Sequence, residues 1–459
     1  MSSHKFFTKP QNIQRIQTEH RKISTPLPSS GTENLLSELE QFESRSMQGQ
    51  IPIVWDRAED FNIYDKSGNK WIDFTSTIFV ANVGHSNPNV CTAVRKVLDR
   101  PLLHTYAYLN EERVQYHKKL IEFAGPPFEK AFLLSAGTES TEAALKLMRM
   151  NSQKIGKRKP GIICIEGNWH GRTLGAQMMS GNPAQKDWVG YHDPNIHHIP
   201  FPYPWDLEGK SGEEFLEIGL KKLEESGIDI KKDICGFMLE TFQGWGAVFY
   251  PADFVQAIER ICRQHNILLT FDEMQSGFAR TGKNFGYEHY GVQADLLCCG
   301  KGIASGFPLS AVIGSTEVMD LPDVGNMSST HSANPIVCAA GLATLEEIER
   351  LDLVLETERK GRIFYNILVE LKEKYPDRIS MVLGQGLIYA VLFKVPGGVD
   401  PDSDFPSRVS EKAMQKGLLV VHTGRESIKL GPPLTITNDA LIEGVEVLEE
   451  SIKEVLENK

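Results

Sequence analysis

From about residue 130 the chain falls into a rhythm that few folds accommodate. Short apolar runs recur as KAFLLS, GIICIEG, IHHIPF, ICGFMLE, ILLTFDE, ADLLCCG and LSAVIG. Helical patterns lie between several of them, at Thr138–Met150, Gly212–Glu225 and Ala252–His265. Strands apolar along their whole length are buried on both faces, and alternation with helices is how a mainly parallel sheet gets both faces covered. The fold class is therefore α/β. In open sheets of this kind ligands bind beyond the carboxyl ends of the strands.

The flanking segments read differently. Residues 1 to about 50 are polar, with a Pro/Ser/Gly patch at TPLPSSGT, and suggest an arm with one helix near Glu33–Ser46. FNIYDKSGNKWIDF alternates around a Gly-containing turn, the pattern of a β-hairpin. Asn110–Phe123 has a helical period. After about residue 336 come two long helical stretches around a few strands, MVLGQGLIYAVLFKV, LLVVHTG and SIKLGPPL. The last stretch, Asp439–Leu456, carries a core-facing stripe of Leu441, Val445, Leu448, Ile452 and Val455.

Charge narrows the partners. The chain has 49 basic and 60 acidic residues among 459, a net charge of −11. Such a surface repels phosphate backbones and anionic lipid, so neither a nucleic-acid nor a membrane partner is expected. No run reaches the length of a membrane span or a secretory signal. The seven cysteines form no CxxC pair and sit mostly in apolar runs, which points to reduced core residues, no metal site and a cytoplasmic protein.

Four motifs carry chemistry. LLSAGTESTEAALKLMR ends a strand at Ser135 and turns through Gly137 and Thr138 into a helix. A helix N-terminus with small residues is a ready anion site, although any strand-to-helix turn also needs small capping residues. ILLTFDEMQSGFAR ends a buried strand on Asp272, followed closely by Gln275. That acid suits a metal ligand, a helix cap or the partner of a cationic ring. A carboxylate beside a pyridine nitrogen favours its protonated, electron-withdrawing form. ADLLCCGKGIASG places Lys301 at a strand end between two glycines. Burial there would lower its pKa and free a nucleophilic amine. No GxxxxGK[ST] loop exists, so a nucleotide P-loop fails. EGNWHGRTLGAQ sets Trp169, His170 and Arg172 together on a loop, where the tryptophan serves either packing or stacking on a flat cofactor.

Taken together, these stretches resemble the class III (ω-amino-acid) aminotransferases of pyridoxal-phosphate fold type I. The likeness runs from about Ile53 to Leu456 and is most specific over FDEMQSGFARTGKNFGYEHYGVQADLLCCGKGIASGFPLSAVIG. It implies a large domain with a mainly parallel seven-stranded sheet and a smaller C-terminal α/β domain. On that basis residues 1–75 form an arm and small-domain segment, 76–335 the large domain and 336–459 the small one. The resemblance also implies that pyridoxal 5'-phosphate is held as a Schiff base on Lys301, the proton shuttle. Asp272 would pair with the ring nitrogen, Gln275 with the phenolic oxygen, and Ser135, Gly137 and Thr138 would lie at the phosphate. Trp169 would stack on the ring and Glu240 would stand beside it. Thr330, in STHSANP, would reach the phosphate of a neighbouring subunit, which requires a homodimer with shared sites. The implied reaction is a ping-pong transfer of an amino group from an amine donor to an oxo acid.

The sequence departs from that family at the substrate. Trp245 stands where a glutamate often sits, and Lys429 where its partner arginine sits; losing both leaves no unpaired buried charge. Thr241 replaces the usual proline after Glu240. Arg172, Arg425 and Lys429 are the candidate cations for a substrate carboxylate, and Arg425 equally suits a plain surface charge. His104, Tyr106 and Tyr108 suit either an entrance or an aromatic surface. Trp245 narrows the donor pocket and points to a primary ω-amine, with 2-oxoglutarate or pyruvate as acceptor. An aminomutase or a decarboxylase on the same scaffold, or an inactive homodimeric scaffold, are the competing readings.

Overall fold

The computed structural model describes residues 4–47, 49 and 51–457. The N-terminal arm reading therefore falls partly outside the described residues, at positions 1–3, 48 and 50. The chain forms two compact units. One comprises Pro88–Gly244 and Val248–Val354; the other comprises the chain up to Asn87, Trp245–Ala247 and the chain from Leu355 onward.

In the first unit all of the apolar runs become strands: β1 Lys130–Leu134, β2 Gly161–Ile165, β3 Ile196–Ile199, β4 Ile234–Glu240, β5 Leu268–Asp272, β6 Leu296–Cys299 and β7 Ser310–Gly314. Their order across the seven-stranded sheet is β1-β7-β6-β5-β4-β2-β3. Every described pairing is parallel except those of β7, which is antiparallel to both β6 and β1. Residues of alternate parity face opposite sides of a strand. Accordingly Leu268, Leu296, Cys298, Val312, Ile162 and Met238 form one core with Ala144, Leu147 and Met148 of a helix. Phe271 faces the other way, its ring 5.4 Å from that of Tyr287 and 6.5 Å from that of Tyr290.

The long helices of this unit are α1 Pro88–Asp99, α2 Glu111–Ala124, α3 Gly137–Lys154, α4 Gly212–Glu225, α5 Ala252–His265 and α6 Pro335–Arg350. The expected bounds of α4 and α5 coincide with those observed, because each has a sharp start. Ser211 caps α4 in a reciprocal box with Glu214, and α5 follows Pro251 and stops at Asn266 in the left-handed region. Helix α6 packs on α1 and α2. For this reason the unit runs on to Val354, where the sequence reading placed a domain limit at residue 335.

The second unit gathers pieces from both ends of the chain. Asn62–Tyr64 and Lys70–Asp73 form the expected antiparallel hairpin. Leu418–Leu419 joins its edge in parallel beside Ile72 and Asp73. A four-stranded antiparallel sheet of Ile379–Gln385, Ile388–Phe393, Val421–His422 and Ser427–Leu430 completes the unit with its helices. In Asn438–Glu457 the stripe Leu441, Val445, Leu448, Ile452 and Val455 is buried as expected. The turn Ser76–Phe79 is left-handed at all four residues, φ 45°, 53°, 64° and 66°. None is glycine, so the geometry is unfavourable locally. It is held by the Ser76 hydroxyl, which donates to the Gly431 carbonyl at 2.6 Å. Phe79 is buried beside Gly431, where a Cβ would strike its ring.

All seven cysteines are free, and all but Cys91 are buried. Among the described residues no helix is long and apolar enough to cross a membrane, and no His/Cys/Asp/Glu group is placed to hold a metal ion.

One glycine tests the packing of α6. A Cβ at Gly341 would lie 2.7 Å from Tyr116 Cε2, and the Tyr116 ring is fully buried. Alanine gains about 1 kcal/mol of helix propensity over glycine, but overpacking costs about 1–3 kcal/mol. Gly341→Ala therefore lowers the denaturation midpoint; a raised midpoint would show that the Tyr116 contact is soft.

Candidate active site

The parallel sheet brings three strand ends side by side. In register, Asp272 of β5 lies opposite both Glu240, the last residue of β4, and Cys298 of β6. Lys301 follows β6 after one glycine and opens a short 3-10 turn, with φ 48°. A lysine, two carboxylates and the loops that follow them thus share the carboxyl edge.

Burial lowers the pKa of the Lys301 amine; Asp272 first and Glu240 second act in the opposite sense by favouring its charge. Desolvation prevails, so the amine is freed of its proton more readily than an ordinary lysine. Asp272 is buried and both of its oxygens are engaged. Oδ1 accepts from the Met274 amide at 3.1 Å and Oδ2 from His170 Nδ1 at 2.9 Å. Glu240 ties three loops together. Oε1 accepts from Gln275 Nε2 at 3.2 Å. Oε2 accepts from the Trp169 amide at 3.0 Å and the Gly244 amide at 3.3 Å. The next acid, Glu273, is wholly buried, and burial raises its pKa against four hydrogen bonds. Two of these come from the hydroxyls of Thr241 at 2.5 Å and Ser276 at 2.6 Å. The threonine that replaces a usual proline thus anchors the loop bearing Asp272 and Gln275.

The turn after β1 reaches the same edge. Gly137 begins α3, and a Cβ there would lie 2.8 Å from Met274 Sδ. A Cβ on Gly300 would meet the same sulfur at 2.5 Å, and would stand 3.7 Å from Gly137 Cα. Glycine at both positions leaves room for the Met274 side chain between the start of α3 and the turn before Lys301. Thr138 Oγ1 lies 2.6 Å from Thr173 Oγ1 and accepts from the Thr173 amide at 3.2 Å. Ser135 Oγ is 3.4 Å from Ser332 Oγ. Glu139 accepts from the Ser135 and Ala136 amides at 2.8 and 3.1 Å. Trp169 is half-buried, and the guanidinium of Arg172 lies 4.4 Å from its ring centre. Thr330 is exposed; its carbonyl accepts from His104 Nε2 at 2.6 Å.

These residues fit pyridoxal 5'-phosphate. An amine that desolvation makes easier to deprotonate, a fixed buried carboxylate, an amide side chain, a half-buried indole and a helix N-terminus answer its aldehyde, ring nitrogen, phenolic oxygen, ring face and phosphate. The other three sequence candidates lie in the second unit. Arg425 sits 3.9 Å from the ring centre of Trp245 and pairs with Glu426 at 3.3 Å. The Ser427 hydroxyl donates to the Trp245 carbonyl at 3.0 Å. Lys429 is buried, with Nζ 4.4 Å from the Phe79 ring centre. Sequence reasoning assigned no task to His170, Thr241, Glu273 or Met274. The one signal for His170 was its place beside Trp169 in a loop motif at a strand end.

Comparison with known proteins agrees with this geometry. The family model for class-III aminotransferases matches residues 44–452. The 4-aminobutyrate aminotransferase of Mycobacterium leprae is 32% identical over 94% of this chain and 97% of its own length. The acetylornithine aminotransferase of Methanocaldococcus jannaschii is 31% identical, over 91% and 98%. The crystal structure of ornithine aminotransferase from Toxoplasma gondii superposes with a TM-score of 0.81 at 26% identity, over 94% of this chain and 97% of that one.

Gly171 probes the turn at Thr138. Its φ is +141°, and a Cβ would press on Thr138 Oγ1 and lie 2.6 Å from Thr138 Cβ. Gly171→Ala should cost about 1–3 kcal/mol of unfolding free energy and weaken binding of a phosphate ester. Unchanged values in denaturant titration and phosphate-ester binding would show that Thr138 is not held by this contact.

Proposed function

Because the chain belongs to the class-III aminotransferase family, we propose that it transfers an amino group from a primary ω-amine or ω-amino acid to an oxo acid, 2-oxoglutarate or pyruvate, using pyridoxal 5'-phosphate on Lys301. The observation that carries this reading is the half-buried Lys301, whose amine desolvation makes easier to deprotonate, on the same sheet edge as the fixed carboxylate of Asp272. The bound cofactor supplies an aldehyde carbon that condenses with amines and a protonated ring that draws electrons from the bond to the substrate hydrogen. The chain's own residues do the rest. Lys301 would hold the cofactor through its amine and, when freed from it, would carry a proton at Nζ. Asp272 accepts a hydrogen bond from the ring nitrogen and favours its protonated form. Gln275, aimed by Glu240, donates to the phenolic oxygen. Trp169 covers the ring face, and Ser135, Gly137 and Thr138 hold the phosphate at the start of α3.

The relatives act, by their names, on 4-aminobutyrate, acetylornithine and ornithine. They support an ω-amino donor and favour transamination over mutase or decarboxylase chemistry. The intact set of Lys301, Asp272 and Gln275 argues against an inactive scaffold. Arg172, Arg425 and Lys429 are the proposed cations for substrate carboxylates, and Trp245 the proposed limit on donor shape. We also propose a homodimer in which Thr330 serves the partner's phosphate. The exposed Thr330 and the exposed Leu103, Tyr106, Tyr108 and Leu109 support it. The free, mostly buried cysteines support a reducing, cytoplasmic location.

Two measurements test this reading. Cofactor added to the purified protein should give a visible absorption band that ω-amines bleach faster than α-amino acids; bleaching by α-amino acids alone would contradict the donor class. The rate of cofactor uptake should rise with pH, as the Lys301 amine loses its proton, and level off below the ordinary lysine pKa of about 10.4. A rise that continues through that value would mean the reacting amine is not the buried one.

A further inference from the structure

The edge where the strands of the large sheet begin holds a cavity of about 350 Å³ that no step above uses. Its walls come from three segments of one unit: the turn after α3, the short helix Ile230–Asp233 before β4, and the end of α5 before β5. They contribute Lys157, Arg158, Lys231, Lys232 and His265, and none of the described lining residues is acidic. The segments are tied to one another. The Lys157 amine donates to the carbonyls of Lys231 and His265, each at 2.6 Å. The Arg158 amide donates to the Lys232 carbonyl at 2.7 Å, and Arg158 Nε donates to Asp233 Oδ1 at 2.6 Å. Helix C-termini attract cations, which accounts for Lys157 at the end of α5. It does not account for Lys231, whose amine has no partner among the described residues. Nor does it account for His265, whose Nδ1 is buried without a hydrogen-bond partner among them, a state that native groups rarely keep. Burial lowers the pKa of His265, and Lys157 and Lys231 lower it further, against Asp229. Like charges thus press on one another around the cavity, a repulsion that an anion there would relieve.

We propose that this cavity is a binding site for a small polyvalent oxyanion, a compact polyphosphate or polycarboxylate, held by Lys157, Arg158, Lys231, Lys232 and His265. Donors remain for it. Lys157 gives two of its three N–H groups to carbonyls, and Arg158 engages Asp233 through Nε and Nη2 only. Lys232 is shared with Asp229 at 2.9 Å. The volume falls within the range of small-ligand sites. The net charge of −11 disfavours a long polyanion, so the ligand is small. Because it would bridge the segments that lead into β2, β4 and β5, its binding stabilises the folded chain. Lys301 lies beyond the opposite ends of these strands, so the site is separate from that of the cofactor.

Pyrophosphate and citrate are the probes, titrated calorimetrically at constant ionic strength into the full chain. Saturation with pyridoxal 5'-phosphate keeps them from the cofactor's own phosphate site. At least one probe should bind once per chain and raise the thermal midpoint as its concentration rises. Tighter pyrophosphate identifies a phosphate ligand, and tighter citrate a polycarboxylate. Lys231→Gln should weaken the binding about tenfold, the loss of one charge-assisted hydrogen bond, and leave the midpoint without probe unchanged. Adding Lys232→Gln should weaken it further. Lys210→Gln, on the far side of α4 and paired with Glu208, should bind as wild type does. If neither probe binds, if Lys231→Gln binds as tightly as Lys210→Gln, or if only a long polyanion such as heparin binds, the proposal is overturned and the cations are a capping and surface cluster. Wild-type protein that takes up no cofactor would instead defeat the functional reading, and the Lys231 and Lys210 variants would still locate the probe.

Discussion

An amine withdrawn from water at the edge of a sheet is the arrangement around which this site is built. A buried ammonium is costly, and the group responds by giving up its proton more readily. Lys301 is in that condition although Asp272 and Glu240 pull the other way. The balance depends on where the sheet ends. Parallel pairing of β4, β5 and β6 sets Glu240, Asp272 and Cys298 in one row, and Lys301 follows just beyond it. A slip of one residue in β5 would send Asp272 to the opposite face.

The carboxylates are in turn held by neighbours rather than left to find their own poses. Glu240 aims Gln275 and fastens the Trp169 loop. Glu273 locks the segment between them through Thr241 and Ser276. Hydrogen-bonded groups of this kind are pre-aligned for charge that develops during reaction, and need not reorganise when it does.

Much of this was legible in the sequence. The strands of the large sheet were visible because burial on both faces leaves unbroken apolar runs, and α4 and α5 because their ends carry local stop signals. Lys301, Asp272, Gln275, Gly137 and Thr138 stood out because such residues are unusual at strand ends, and the fold brings those ends to one edge of the sheet. What escaped was non-local. Nothing near β7 tells its direction, which comes from pairing with β1 and β6. Nothing near Leu418 announces its pairing with Lys70–Asp73, and the gathering of both chain ends into one unit follows from such contacts. The contact of His170 is with an acid 102 residues away, a distance that no local pattern spans.

The most direct test of the account is chemical location of the cofactor. Protein incubated with pyridoxal 5'-phosphate is reduced with borohydride, digested, and its peptides weighed by mass spectrometry. The account predicts a phosphopyridoxyl group on the peptide containing Lys301, and none on that peptide in Lys301→Ala. Stoichiometric label on another lysine, or equal labelling of the Lys301→Ala protein, would contradict it.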